Sequence, residues 1–336
     1  MSHGPIALQL YGVAHACRAD RACNRISGGV WWEPSIEVRR EVGGTEWFGV
    51  EQKGPAEGAP ERAAGCLEHL RSVGLRGTSM GNEGRNADRI PIALQLYSVR
   101  KDCADDLAGT LKAVAEMGYE GVEFAGYYGH SAEDVKAMLD DVGLPAVGAH
   151  LPLNTMLGDN LEETVRFQKV LGNSYLVVPG LSAERTATRA AWIETAGIFS
   201  DIARSLEPLG MRVGYHNHVT EFAPLEGELP WDTFFSNASP EVIMQIDTGN
   251  AMYGGGDPIP CLARYPGRAT TVHLKEHSAG NDKAIIGEGD MQWERFFELC
   301  ETVGNTRWYI VEQESYAYPP LECVARCLDN LKAMGK

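Results

Sequence analysis

The sequence lacks several features that mark common functional classes. None of its eight cysteines stands three positions before another, so it contains no CxxC zinc or redox motif. No run of 18 apolar residues occurs, so we expect no membrane-spanning helix and no membrane partner. The N-terminus has no basic segment followed by a long apolar stretch, which argues against a secretory signal. We therefore expect a cytoplasmic protein with free thiols.

Basic residues are scarce. The chain has 30 Lys and Arg against 46 Asp and Glu, which gives a net charge of −16. No cluster of basic residues could follow a phosphate backbone, so we expect no nucleic-acid partner. No group of Arg follows the late strands either, which favours an unphosphorylated small-molecule substrate. The sequence leaves the oligomeric state open, a homo-oligomer included.

The chain divides into two unequal parts near residue 90. Residues 1–89 contain scattered Gly and no sustained hydrophobic period except a helix-like piece at 59–73, so we expect an irregular or loosely packed extension. The segment PIALQLY at 5–11 recurs at 91–97. We assign the second copy to the first strand of the folded domain, because a strand–helix pattern continues from it. A duplication remnant, a misplaced start and an insertion are all compatible with the first copy.

From residue 90 onward, short β-rich runs alternate with amphipathic helical patterns, five of which end at a glycine. Eight such units in about 250 residues have the size and rhythm of an α/β (β/α)8 TIM barrel, which we expect over 90–336. A doubly wound dinucleotide-binding sheet is the competitor, but no GxGxxG follows the first strand. The predicted strands cover 92–99, 121–125, 146–151, 175–179, 212–218, 242–247, 269–274 and 308–312. The predicted helices cover 105–117, 132–142, 161–171, 188–209 and 292–303.

Metal-capable side chains end the last four predicted strands. Active sites of such barrels lie at the carboxyl ends of the strands, and neighbouring strand ends meet at one rim. Four such side chains in succession therefore predict one shared divalent metal ion. Mixed imidazole and carboxylate ligands favour Mn²⁺, with Mg²⁺, Co²⁺, Zn²⁺ or Fe²⁺ as alternatives, over Ca²⁺. The predicted ligands are His216, Asp247, His273 and Glu312.

Other polar and aromatic residues near the same rim are candidates for catalysis and substrate binding. Residues two apart on a regular strand face the same way, so His218 shares a face with His216, and Glu314 with Glu312. We predict Glu312 or Glu314 as the base, and Lys275 as the donor to a substrate oxygen. The predicted substrate contacts are His150, His218, Glu123 and Tyr97.

Seven segments, in this order and spacing, resemble those of a known enzyme superfamily. They are LQLYSVR at 94–100, GVEFAGYYG at 121–129, YHNHVTEF at 215–222, IDTGNA at 246–251, VHLKEH at 272–277, GEGDMQW at 287–293 and VEQES at 311–315. The set resembles the sugar phosphate isomerase/epimerase superfamily of xylose-isomerase-like TIM barrels, above all its inosose-dehydratase-like group.

The resemblance implies a Glu, Asp, His, Glu metal set from the fifth to eighth strands. Asp247, His273 and Glu312 match this pattern, whereas the fifth-strand Glu is replaced within HNH at 216–218. We place His216 at that position. Glu221 is a candidate substitute for the missing carboxylate, provided that its loop folds back over the site.

The resemblance also implies proton removal next to a carbonyl of a sugar or cyclitol. We therefore predict a metal-dependent sugar isomerase or epimerase. A dehydratase or lyase that acts by β-elimination on a keto-sugar, keto-glycoside or inosose shares the same first step and is the main alternative. A non-catalytic sugar-binding barrel and an endonuclease IV-like phosphodiesterase are further alternatives. The phosphodiesterase would need three metals, and the acidic surface opposes DNA binding.

Overall fold

The computed structural model describes residues 35–40, 46–51 and 89–336 of the chain. In the N-terminal part, strands β1 (Ser35–Arg40) and β2 (Glu46–Glu51) pair antiparallel as a hairpin. The prediction of an irregular extension did not anticipate this hairpin. The first PIALQLY copy at 5–11 and the helix predicted at 59–73 lie outside the described residues. The second copy, at 91–97, contains the first barrel strand, as predicted.

The remaining strands form a parallel barrel. They are β3 (Ile92–Gln95), β4 (Gly121–Phe124), β5 (Ala146–His150), β6 (Tyr175–Val178), β7 (Arg212–His216), β8 (Ile243–Gln245), β9 (Thr271–Leu274) and β10 (Trp308–Val311). Strands β3 to β8 follow chain order around the sheet, and β10 lies between β3 and β9. The seam between β8 and β9 is closed by a single bridge between Asp247 and His273. The predicted TIM barrel is confirmed.

Helices connect the strands along the outside of the sheet. They are α1 (Arg100–Asp105), α2 (Leu107–Met117), α3 (Ala132–Val142), α4 (Asn160–Leu171), α5 (Ala183–Thr186), α6 (Arg189–Leu206), α7 (Pro230–Asn237), α8 (Thr248–Tyr253), α9 (Pro258–Arg264), α10 (Trp293–Leu299) and α11 (Pro320–Ala333). Within residues 89–336, none of them is long and apolar enough to cross a bilayer.

Four of the five predicted glycine ends hold the left-handed conformation that stops a helix. They are Gly118, Gly143, Gly172 and Gly210. The fifth prediction, at Gly304, is wrong. Helix α10 continues through a π-helical turn, Cys300–Gly304, and the left-handed residue is Asn305 with φ 56°. Asparagine is the residue that most readily replaces glycine there, because its short polar side chain tolerates this conformation.

The barrel interior is apolar at one end and polar at the other. Ala93, Val147 and Ile310 form a small buried cluster that plugs the barrel. Because side chains alternate along a strand, residues two positions further on the same strands face the same interior, nearer the carboxyl ends. On β3 and β10 these positions are occupied by Gln95 and Glu312, whereas a register shift against β4 interrupts the alternation in β5. The alternation thus carries polar side chains to the end where barrel active sites lie.

Candidate metal centre and active site

Four buried side chains from the last four barrel strands meet at the carboxyl end of the barrel. They are His216 at the end of β7, Asp247 after β8, His273 in β9 and Glu312 after β10. Each contributes one ligand atom, and these atoms all lie within 4.8 Å of one another. His216 Nδ1 and Asp247 Oδ2 are buried without a hydrogen-bond partner. Since buried polar atoms are normally paired, these two atoms fit a site that a cation completes.

Asp247 is oriented by the residues that surround it. Its Oδ1 accepts a hydrogen bond from Asn250 N at 2.6 Å and so caps helix α8. Asn217 accepts from Asp247 N at 2.8 Å and donates to Asp247 O at 3.2 Å, which ties β7 to the seam. Burial raises the pKa of the Asp247 carboxyl, although Lys275 opposes this. The arrangement leaves Oδ2 directed at the other three ligands.

His273 lies between two carboxylates. Its Nδ1 is 2.5 Å from Glu312 Oε2, and its Nε2 is 2.5 Å from Glu123 Oε2. Burial alone would lower the pKa of this ring, but the two carboxylates outweigh it and raise the pKa to about 10. Without a metal ion, the ring therefore carries a proton on each nitrogen at neutral pH.

His216 has the opposite protonation state. Burial, followed by the neighbouring His273 and His150 rings, holds its pKa well below the usual range. The ring is therefore neutral, which is the form that binds a metal ion. It packs edge-on against His273, with ring centroids 4.5 Å apart. The side chain that replaces the expected fifth-strand carboxylate is thus a competent ligand.

A buried lysine lies beside the four ligands. Lys275 Nζ donates to Asn250 Oδ1 at 3.0 Å, pairs with Glu314, and is 3.9 Å from Glu312 Oε1. Burial alone would lower the pKa of its ammonium group, but the surrounding carboxylates raise it above its ordinary value. A Cβ on Gly249 would lie 2.7 Å from Lys275 Cγ, so glycine is needed for this approach. The Glu314 side chain is 33% exposed and is accessible from outside.

Comparison with known proteins identifies the family. The sequence profile described as Xylose isomerase-like TIM barrel matches residues 111–334. The chain belongs to this family. The resemblance to sugar phosphate isomerases and epimerases, and to inosose dehydratases, is thereby confirmed.

Individual relatives of this xylose isomerase-like barrel are distant. The rhizopine catabolism protein MocC of Rhizobium meliloti is 22% identical over 274 residues, which cover 69% of this chain and 84% of that protein. An inosose dehydratase of Erwinia tasmaniensis is 26% identical over 243 residues, 60% of this chain and 81% of that enzyme. The structure of a sugar phosphate isomerase/epimerase from Parabacteroides distasonis superposes with a TM-score of 0.62 at 24% identity. The superposition covers 76% of this chain and 98% of that one. At this identity, the likeness supports the fold alone.

The predicted substrate contacts of this xylose isomerase-like barrel lie at different depths. His218 is exposed, with its ring centroid 5.2 Å from that of His216. His150 is half-buried and bonds Gln245 through Nε2 at 2.8 Å. Tyr97 is 39% exposed under the Arg100 guanidinium. Glu123, in contrast, has no exposed surface and lies behind His273 rather than at the rim.

Glu221 is not part of the four-residue group. Its Oε1 accepts from Tyr215 OH at 2.6 Å, and its Oε2 accepts from His218 N at 2.8 Å. Tyr215 faces away from the barrel interior and packs against the aromatic side chains of helices α6 and α7. The Glu221 carboxylate therefore stabilises the loop after β7. It does not replace the fifth-strand glutamate of the expected ligand set.

Sequence reasoning assigned no role to several polar residues that hold the ligands in place. Thr248 Oγ1 donates to Lys275 O at 2.7 Å and accepts from Lys275 N at 3.0 Å, which joins the barrel seam. Glu276 is buried and accepts from Gly287 N and Trp293 Nε1, so it anchors the loop after β9. The sequence offered one signal for these roles: Thr248 directly follows Asp247 in IDTGNA, and Glu276 directly follows Lys275 in VHLKEH.

Metal binding by this xylose isomerase-like barrel is expected to release about one proton at pH 8, because His273 must lose the Nδ1 proton that its raised pKa retains. The affinity should accordingly rise with pH, by about tenfold per unit below the pKa of His273. Isothermal titration with Mn²⁺ in buffers of different ionisation enthalpy measures both quantities. Between pH 7 and pH 9 the affinity should therefore rise by about 100-fold. A metal affinity that stays constant over this range would contradict this protonation state.

Proposed function

We propose that this protein is a metal-dependent sugar isomerase or epimerase that removes a proton next to a carbonyl of a sugar or cyclitol. The observation that carries the proposal is the convergence of four buried ligand groups beside Lys275 and its partly exposed partner Glu314. Relatives named as an inosose dehydratase and a sugar phosphate isomerase/epimerase support the same class of chemistry.

The four converging residues would hold one divalent ion, for which Mn²⁺ is our first choice. When bound, the ion supplies Lewis-acid polarisation of a carbonyl oxygen, which makes the adjacent C–H more acidic. His216 is neutral, and the Asp247 Oδ2 atom has no other partner. These two atoms would therefore bind an ion without giving up an existing hydrogen bond.

Glu314 would remove the proton from the substrate carbon. Glu312 lies within the ligand group, whereas Glu314 is one-third exposed and belongs to no ligand group. Lys275 is in close contact with the Glu314 carboxylate, and it would donate to the substrate oxygen on which negative charge develops. Return of the proton to a neighbouring carbon or to the same carbon would give an isomer or an epimer.

β-Elimination is the second candidate, and the Lys–Glu pair favours it. The Glu314 carboxylate would take the proton, while the Lys275 ammonium, an acid at the same place, would give a proton to the departing hydroxyl or alkoxyl oxygen. An epimerase with two opposed bases would need a second carboxylate across the site. Glu221, on the β7 side, is bonded to Tyr215 instead.

Deuterium uptake from D₂O tests the proposal. The Mn²⁺-loaded protein is incubated with a panel of ketoses, inososes and 3-keto-glycosides, and the carbon next to the carbonyl is followed by NMR and mass spectrometry. We expect exchange with at least one member, and the products distinguish isomers from unsaturated or cleaved species. Protein stripped with a chelator is the control. No exchange across the panel by protein with stoichiometric metal would refute the proposal.

A further inference from the structure

Glu123 is a buried carboxylate that the proposed reaction does not use. It lies in β4 with no exposed surface, and its Oε2 is 2.5 Å from His273 Nε2. The other ring nitrogen, His273 Nδ1, faces the ligand group, at 2.5 Å from Glu312 Oε2 and 3.9 Å from Asp247 Oδ2. Glu123 therefore contacts the one nitrogen of this ligand that points away from the metal site.

The Glu123 carboxylate is itself fixed by side chains from three other strands. Its Oε1 accepts from Gln245 Nε2 at 2.8 Å, and its Oε2 accepts from Gln95 Nε2 at 2.8 Å. His150 Nε2 is 3.2 Å from Oε2. A carboxylate with this many donors around it holds its partner ring in one orientation.

The neighbouring strand leaves space for Glu123. A Cβ on Gly148 would lie 2.2 Å from Glu123 Oε1. Gly148 is in strand β5, directly after the register shift against β4, and its φ is not positive, so its backbone conformation does not require glycine. Glycine is therefore needed at this position because the Glu123 carboxylate occupies the space of a side chain. The packing between β4 and β5 thus accommodates Glu123.

We propose that Glu123 is a positioning residue for metal binding. Glu123 accepts the Nε2 hydrogen of His273 and so holds the ring with Nδ1 presented to the ion. The same hydrogen bond makes Nδ1 more basic and therefore a stronger metal ligand. A carboxylate behind a histidine ligand acts in this way in many metal sites. The inference rests on the metal site of the proposed function, but it does not depend on which reaction follows.

Metal affinity and ligand-field spectra test this role. We compare Mn²⁺ dissociation constants of the wild type with those of Glu123→Gln and Glu123→Ala, and record Co²⁺ absorption spectra of each. We expect Mn²⁺ binding to weaken by about 10-fold for the amide, which accepts more weakly, and by about 100-fold for alanine. The Co²⁺ bands should shift in both variants, because the donor strength of His273 changes.

Glu221→Gln is the matched control. Glu221 is a similarly buried glutamate with hydrogen bonds at both oxygens, but none of those bonds is to one of the four ligand side chains. We expect this variant to lose stability while its Mn²⁺ affinity and Co²⁺ bands stay close to those of the wild type. A Glu123→Gln variant that loses stability alone, with unchanged affinity and spectrum, would overturn the positioning role.

A further variant keeps the proposal testable if neither Glu123 variant folds. Gln245→Met removes the donor to Glu123 Oε1 while leaving Glu123 and His273 in place. It should weaken Mn²⁺ binding in the same direction, and an unchanged constant again overturns the proposal. If the wild-type protein binds no stoichiometric divalent ion, both this role and the proposed function are refuted. Tight binding that depends on Glu123, without turnover of any sugar, would contradict the proposed function alone.

Discussion

Replacing Asp247 with alanine is expected to abolish stoichiometric metal binding and to lower kcat/KM by at least about 10³-fold, on the order of 4 kcal/mol of transition-state stabilisation. The substitution removes the buried Oδ2 that faces the other three ligands. It also removes the Oδ1 cap of helix α8, which costs about 1 kcal/mol of folding stability. Elemental analysis of the purified protein, deuterium exchange and thermal unfolding measure the three effects.

Asp247→Asn separates the ligand from the cap. Its amide oxygen can still accept from Asn250 N, whereas the anionic oxygen that a cation requires is gone. We expect it to unfold close to the wild-type temperature but to bind metal as poorly as the alanine variant. Retention of one metal ion per chain in either variant would show that the four residues do not form the site.

Replacing Glu314 with glutamine is expected to lower kcat by about 10²- to 10⁴-fold, the usual contribution of a general base. Mn²⁺ affinity should change little, because Glu314 is not among the four converging ligands. The pKa of Lys275 should fall, since one of the carboxylates that raise it becomes neutral. Steady-state kinetics and a Mn²⁺ titration on the same preparation provide the measurement.

The matched control for this variant is Glu322→Gln. Glu322 lies on α11, where its carboxylate pairs with Arg326 at an exposed position, and we expect no change in either quantity. Simultaneous loss of metal and activity in Glu314→Gln would mean that Glu314 is a ligand rather than the base. Near-normal turnover would transfer the role of base to another group.

The sequence alone predicted most of the barrel. Strand candidates were recognisable because parallel strands covered on both faces are continuously apolar, and because left-handed glycines ended four of the five predicted helices. Helix α3 occupies the predicted range Ala132–Val142. The order of the strands, together with the rule that their carboxyl ends share one rim, also predicted that His216, Asp247 and His273 would converge.

The sequence pattern could not distinguish the carboxylates near those strand ends. Glu123, Glu221 and Glu314 each follow or end a strand, and local spacing gives them similar status. In the structure, Glu314 pairs with Lys275 and is partly exposed, Glu221 turns outward to Tyr215, and Glu123 is buried behind His273. Helix α10 shows the same limit, because its π-helical turn moved the stop from Gly304 to Asn305.

By itself, the sequence determined which residue types reach the rim, because alternation along a strand and the direction of the chain are local properties. The tertiary structure decided how deep each side chain lies and which partner it has. Glu123 and His273 are 150 residues apart in the chain, and their contact exists only because the barrel closes. The pairing of a ligand with its supporting carboxylate depends on strand register and on the space left by Gly148, which no local pattern encodes.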